Sequence, residues 1–196
     1  RSLGIPEDLK KSIDLILEGN IVDTDAGLIN DTIYFLNTCA GGNFVATSYN
    51  TSNELKKNFG PLAYYIKALE EVAQIKPVRL RVTTDDEMLE GNYLFFLILN
   101  GKHADGFKNI NKEADIADGY MDILLVKDIP AIELAALFLK VIRNEFINDK
   151  NVIWLRSRNC LIEGSNDFAL SLDGEKWGSL PISVKFLNKI LKVYGK

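Results

Sequence analysis

The chain has 196 residues, 47% of them hydrophobic and 26% charged, with a formal net charge of -4. That is enough for one large domain or two small ones with a core of ordinary size, and the acidic balance gives no support to nucleic-acid binding. The longest apolar run, Tyr93 to Leu99, is far too short to span a bilayer, and no signal peptide is visible.

Cys39 and Cys160 fall in no metal or redox spacing and lie in apolar surroundings, so they read as buried reduced thiols of a cytosolic protein. His103 is the only histidine, which excludes a histidine metal cluster, and nothing near it supports a Ser-His-Asp triad. The chain opens on Arg1 rather than Met, as a processed or excised piece of something longer would.

In chain order, IPEDLKKSIDLILEG predicts a helix: Leu9, Ile13 and Leu17 recur at helical spacing, Pro6 suits the first turn and Gly19 the stop. IVDTDAGLIN and DTIYFLNTC read as two strands joined near Asn30-Asp31. After the AGGNF break, Asn53 caps a short helix through Lys57, and GPLAYYIKALEEVAQI is a second helix. KPVRLRVTTDD alternates as a strand, GNYLFFLILNG is a strand buried on both faces, and YMDILLVKD is another. In the last of these Asp122 alternates with Met121 and Ile123, which points it to solvent. PAIELAALFLKVIRNEF is a helix. NVIWLRSRNCLIEG, FALSLDG and ISVKFLNKILKVYG supply further strand; KFLNKILKVY also fits helical spacing and is taken as strand. No repeat, linker or low-complexity tract appears. The balance predicts an α+β chain that is mainly β, a sandwich with flanking helices.

Two acidic turns stand out. In LSLDGEKWGSL, Asp173-Gly174 is a two-residue hairpin signal, because both central positions of a type I′ turn need φ > 0. That loop pairs Leu172 with Glu175 and Leu170 with Trp177, so Glu175 shares a face with apolar residues. A carboxylate at the rim of such a face is partly desolvated, which raises its pKa and suits it to accept a proton. On this stretch alone an ordinary hairpin with a surface Glu is the better reading. In KEADIADGYMDILLV, Asp-Gly again precedes a strand, with Asp115 three residues before Asp118. A tight turn can aim the Asp118 carboxylate and nearby carbonyls at one hard cation such as Mg²⁺. Bare spacing favours the plainer alternative, a turn in which Asp118 bonds its own backbone and Gly119 supplies φ > 0. Ala104-Asp105-Gly106 is a third such turn with no assigned role.

The ordered pieces RSLGIP, DAGLIN, YFLNTCAGG, FGPLAYYIKALEEV, NGKHADGF, ADGYMDILLV and SLDGEKWGSLP resemble the diacylglycerol kinase catalytic family, which includes bacterial diacylglycerol and related lipid kinases and the sphingosine and ceramide kinases. The resemblance spans nearly the whole chain. It implies the C-terminal domain of an ATP-dependent lipid kinase, a β-sandwich of the lipid kinase/NAD kinase-like fold. Residues 1–196 would form that single domain, and 1–19 would lead in from an N-terminal nucleotide-binding domain. In the family the R-x-LGIP piece follows GTxNDFA, and the phosphate-cradling GGDGT loop lies further upstream; neither motif occurs in this sequence.

By resemblance, Glu175 is the proton acceptor for the lipid hydroxyl, and with that its catalytic reading becomes the better one. Asp118 is implied as a Mg²⁺ ligand through its side chain, with Asp115 and Tyr120 contributing backbone carbonyls. The implied partners are ATP, a lipid such as diacylglycerol and, transiently, a membrane surface, at a cytoplasmic and peripheral location; a homodimer is compatible with such a protein. Two departures are Lys112, where the family often has Pro, and Ala104-Asp105-Gly106, where it has a Gly cluster. The first would loosen the approach to the metal turn, and the second would reshape a loop near the cleft.

Without the missing nucleotide loop the chain alone is expected to be inactive. An apolar groove for the lipid would draw on Phe35, Phe44, Phe95 and Phe96, although core packing is the ordinary role of each. Lys185, Lys189, Lys192 and Lys196 could meet anionic headgroups, although their loose spacing reads as a solvated face. The alternatives are a non-catalytic lipid-binding or regulatory β-sandwich and a kinase of a soluble nucleotide or polyol.

Overall fold

The computed structural model describes residues 3–6, 8–42, 76–102, 114–143, 145–146, 148–165 and 170–195. The helices expected around Asn53–Lys57 and over residues 60–75 lie outside these residues, as do His103, the Ala104-Asp105-Gly106 turn, Lys112, Phe44 and Lys196.

The first element is α1 (Leu9–Glu18). Asp8 caps it by accepting the Lys11 N–H at 2.9 Å, so the helix begins later than the expected start at Ile5. Gly19 ends it in the left-handed region, at φ 72°. The spaced apolar residues Leu9, Ile13 and Leu17 are exposed, and Leu15 alone of this helix is buried.

Among the described residues, eleven strands then form one hydrogen-bonded sheet. They are β1 (Ile21–Ile29), β2 (Ile33–Phe35), β3 (Thr38–Gly42), β4 (Val78–Thr84), β5 (Met88–Leu99), β6 (Met121–Lys127), β7 (Val152–Ser157), β8 (Asn159–Glu163), β9 (Leu170–Leu172), β10 (Glu175–Trp177) and β11 (Ile182–Tyr194). DTIYFLNTC, expected as one strand, is split by a turn at residues 36 and 37 into β2 and β3. The ambiguous KFLNKILKVY stretch is strand, because β11 pairs with β1 along most of its length and with β8 at its start.

The order is β10-β9-β3-β5-β4-β8-β11-β1-β2, with β6 joining β5 to β7. β5 is the branch point. Its first half pairs with β4, and its second half lies between β3 and β6. A bulge at Leu94 marks the change, between the registered pairs at Tyr93 and Phe95. A bulge adds local twist and bends the strand. It also turns two consecutive residues, Leu94 and Phe95, toward the same side.

Two apolar layers result. Inside the curl, Phe35, Leu80, Phe96, Ile98, Ile123, Ile162, Leu170 and Val184 form the larger core. On the other face of β5 and β6, Leu94, Leu99, Leu124 and Val126 are covered by α2 (Ala131–Ile142) through Leu134 and Leu137, together with Phe146. β5 is thus buried on both faces over its second half, as its unbroken apolar run implies. Asp122 is a correction: it is buried, and accepts a hydrogen bond from Trp154 Nε1 at 3.1 Å, because the face that alternation assigns to solvent is under α2. Among the described residues no helix is long and apolar enough to cross a membrane.

Candidate functional site

The Asp-Gly hairpin has the register its sequence predicts. Glu175 pairs with Leu172 and Trp177 with Leu170, while Asp173 and Gly174 have φ 48° and 90°. The side chain of Asp173 does more than turn the chain. Its carboxylate accepts the backbone N–H groups of Leu36 (2.7 Å), Asn37 (2.8 Å) and Thr38 (2.9 Å), and its own N–H donates to the Thr38 carbonyl at 2.9 Å. The hairpin is therefore fastened to the turn between β2 and β3, and Glu175 projects from a fixed base. Glu175 itself is exposed. The partial desolvation expected of it is not seen: among the described residues β10 lies at one end of the strand order and pairs with β9 alone.

The second acidic turn precedes β6. Asp118 Oδ1 accepts the Tyr120 N–H at 2.8 Å, Asp115 Oδ1 accepts the Ala117 N–H at 3.0 Å, and Gly119 has φ 79°. These are the bonds of an ordinary Asx turn. Asp118 Oδ2 is ion-paired with Arg156, and the Tyr120 ring carries the guanidinium groups of Arg156 and Arg158 at 4.9 and 4.7 Å from its centroid. A carboxylate beside backbone carbonyls is the right donor chemistry for a hard cation. Arg156 already occupies one carboxylate oxygen, so a cation there would have to displace the guanidinium. No group of three or more acidic, Cys or His side chains is gathered as a metal site among the described residues, so the carbonyls would have to supply much of the coordination.

Sequence reasoning overlooked the residues behind this turn. Asp25 is fully buried in the middle of β1. Its Oδ2 accepts the Gly119 N–H at 2.6 Å, and its Oδ1 accepts the Lys189 N–H (2.6 Å) and Asn188 Nδ2 (3.1 Å). The register explains the spot: between Thr24↔Leu191 and Ala26↔Leu187, β1 has only Asp25, opposite three residues of β11. That bulge turns the Lys189 amide, at φ 51°, toward the buried carboxylate. A Cβ on Gly119 would come within 3.1 Å of Asn188 Nδ2, so the turn sits tight on this cluster.

Asn100, just past β5, is also buried. Its Nδ2 donates to the carbonyls of Asp25 (2.9 Å) and Leu36 (3.0 Å), and its N–H donates to the Asn37 carbonyl (2.9 Å). Its Oδ1 is buried and has no hydrogen-bond partner among the described residues. An acidic residue amid a strand run and an Asn closing an apolar one were the only sequence signals for these two.

The structure brings the two acidic turns to one end of the sheet. Leu172 pairs with Cys39, Thr38 with Leu99, and Leu99 with Asp122, so the Asp173-Gly174 turn and the Asp118 turn both cap the same ends of β9, β3, β5 and β6. Of the proposed lipid-lining residues, the three described ones are not brought to this end as a surface. Phe35 and Phe96 are wholly buried in the core, and Phe95 packs on the α2 side. Lys185 and Lys192 pair with Asp31 and Asp23 on a solvated face, and Lys189 is exposed beside them on β11.

A curled antiparallel sheet with apolar layers on both of its faces defines a domain of the β-sandwich-like class. The chain belongs to the family described as the YegS C-terminal NAD kinase beta sandwich-like domain, whose model matches residues 39–195. It is 34% identical over 194 residues to a diacylglycerol kinase of Staphylococcus carnosus and 35% identical over 195 residues to one of Staphylococcus aureus, covering 99% of this chain in each case. The chain spans 63% and 61% of the length of those two relatives. The fold matches a crystal structure of a diacylglycerol kinase from Bacillus anthracis with a TM-score of 0.69 at 16% identity, over 100% of this chain and 62% of that one.

Proposed function

We propose that this chain is the part of an ATP-dependent lipid kinase that presents the acceptor hydroxyl, with diacylglycerol or a similar lipid as the substrate class. One observation carries the reading: an exposed carboxylate, Glu175, stands on a rigidly fastened hairpin at the end of the sheet that also holds the Asp118 turn. The two relatives named diacylglycerol kinase, similar over 99% of the chain, support the substrate class.

Phosphoryl transfer leaves a protein mainly positioning and charge stabilisation to supply. An alcohol is too weak an acid to be ionised beforehand. Glu175 would take its proton as the new P–O bond forms, from about 3 Å or through one water. The Asp173 contacts matter here, because a base that swings freely cannot hold that distance. Asp118, with the backbone carbonyls of Asp115 and Tyr120, would hold Mg²⁺ after releasing Arg156. The ion's chemistry there would be to fix the turn and order water.

The test is phosphotransfer to diacylglycerol by the full-length kinase that contains this chain. Glu175→Gln should lower kcat by about 10²-fold or more with an unchanged circular dichroism spectrum; full turnover in this variant removes the proton-accepting role. Crystals soaked in Mn²⁺ should show anomalous density beside Asp118, and a clean map at high occupancy elsewhere removes the metal role.

A further inference from the structure

Each carboxylate oxygen of Asp118 already has a partner. Oδ1 accepts the Tyr120 N–H at 2.8 Å, which closes the turn. Oδ2 is ion-paired with Arg156. Arg156 comes from β7, where its backbone pairs with Asp122 of β6, and its guanidinium also lies 4.9 Å from the centroid of the Tyr120 ring. Arg158 lies on the same ring, at 4.7 Å, and makes no ion pair with Asp118. The pair is at the surface: the side chain of Asp118 is 22% exposed and that of Arg156 is 54% exposed. The guanidinium can therefore leave Oδ2 for water without any part of the core moving, and its contact with the Tyr120 ring keeps it close by.

We propose that Arg156 is a built-in competitor for the cation at Asp118. Its guanidinium fills the place of the ion until the ion arrives, and so sets the Mg²⁺ concentration at which the turn is loaded. The proposal rests on the proposed Mg²⁺ role of Asp118. A guanidinium and a hard cation seek the same oxygen and repel each other, so the two states exclude one another. When only a fraction of the molecules presents a free oxygen, the apparent dissociation constant rises by the inverse of that fraction. A surface ion pair alone gives on the order of one to five closed molecules for each open one. Stacking on Tyr120 limits the orientations open to the Arg156 side chain and favours the closed state further. The competitor also prepares the turn. With Arg156 in place the Asp118 charge is compensated before an ion binds, while the Tyr120 N–H fixes the carboxylate. The ion then meets a preformed turn rather than an unpaired side chain. A merely structural ion pair would tie β7 to the turn and nothing more, and its loss would change stability alone. Arg158 supplies the internal comparison, with the same ring and the same charge but no bond to Asp118.

The test measures Mn²⁺ binding by the full-length kinase without nucleotide, from the electron paramagnetic resonance signal of the free ion. Asp118→Asn should remove a site. Arg156→Met should tighten that site by about three- to ten-fold. Arg158→Met removes an equal charge from the same ring and leaves Oδ2 no freer, so its effect should be smaller by about two-fold or more. Affinity unchanged or weakened in Arg156→Met overturns the proposal. So does equal tightening in the two methionine variants, which would be the general field of the charges. If Asp118→Asn keeps the wild-type site, the Mg²⁺ role of Asp118 falls and the competitor falls with it. If Asp118→Asn loses the site while Arg156→Met leaves the affinity unchanged, the Mg²⁺ role stands and the competitor alone falls. A second measurement uses the unaltered full-length kinase, and so decides the matter where Arg156→Met does not fold. Saturating Mg²⁺ should shift the Nε–Hε resonance of Arg156 in the ¹⁵N spectrum as the guanidinium leaves Asp118. A resonance that stays in place at saturating Mg²⁺ overturns the proposal.

Discussion

Asp85 shows how much one exposed carboxylate can organise. It accepts hydrogen bonds from Ser157 Oγ (2.8 Å), the N–H groups of Arg158 (2.9 Å) and Asn159 (3.0 Å), and Asn159 Nδ2 (2.8 Å), tying the β4–β5 connection to the corner between β7 and β8. The Asn159 side chain, with Ser157 and the two amides, holds its carboxyl down from 3.8 to about 2. A group depressed in the folded state contributes stability above its unfolded pKa and loses it as pH falls through the folded value. The contribution is thus complete above pH 3.8 and disappears toward about 2. Asp85→Asn should lower the thermal midpoint at pH 7, and the gap from wild type should close on acidification from about pH 4 to about pH 2. A gap that stays constant over that range would show that the carboxylate charge is not what the corner uses. The same corner lies above Cys160, whose thiol burial pushes up to about 12 with the nearby Asp85 charge adding to it, in keeping with an inert, buried, free cysteine.

At the scale of elements, legibility followed the range of the interactions. The β9–β10 hairpin was legible in register because its turn chemistry is local: two residues that tolerate φ > 0 fix every pair beyond them. β5 was legible because twelve residues with an unbroken apolar half fit only a strand covered on both sides. Asp122 was misread because alternation carries no information about α2, which arrives later in the chain to cover that face. Asp25, Asn100 and Arg156 were overlooked because their partners lie 94, 75 and 38 residues away, at bulges and strand ends that leave no pattern in the sequence. Gly27 is a further case. It pairs with Phe35 across β1 and β2, and a Cβ there would fall 2.1 Å from the Phe35 ring. That ring is wholly buried, with Phe186 at 6.2 Å. Gly27→Ala should therefore destabilise by about 1–3 kcal/mol, a fall of roughly 2–12 °C in the thermal midpoint of a chain this size. An unchanged melt would mean that Phe35 can leave its seat without loss.

At the scale of the whole molecule, the question is what this chain can do unaided. Its two acidic turns present the carboxylates of Glu175 and Asp118, and both groups are anionic. The γ-phosphoryl group of ATP is anionic too, so transfer requires backbone N–H groups, cations or both to cradle it. In the family this sequence resembles, that cradle is the GGDGT loop, a motif that does not occur here, and the chain spans 63% of the length of its Staphylococcus carnosus relative. The cationic groups that the structure places at the Asp118 turn, Arg156 and Arg158, are stacked on Tyr120, and Arg156 is paired with Asp118. Proton acceptance without a positioned phosphoryl group moves nothing. The purified chain, given ATP, Mg²⁺ and diacylglycerol in mixed micelles, should form phosphatidate no faster than a blank, while the full-length kinase turns over under the same conditions. Turnover by the chain alone that disappears in Glu175→Gln would place a nucleotide site within these 196 residues and overturn the proposed division of labour between a part that holds ATP and a part that presents the lipid.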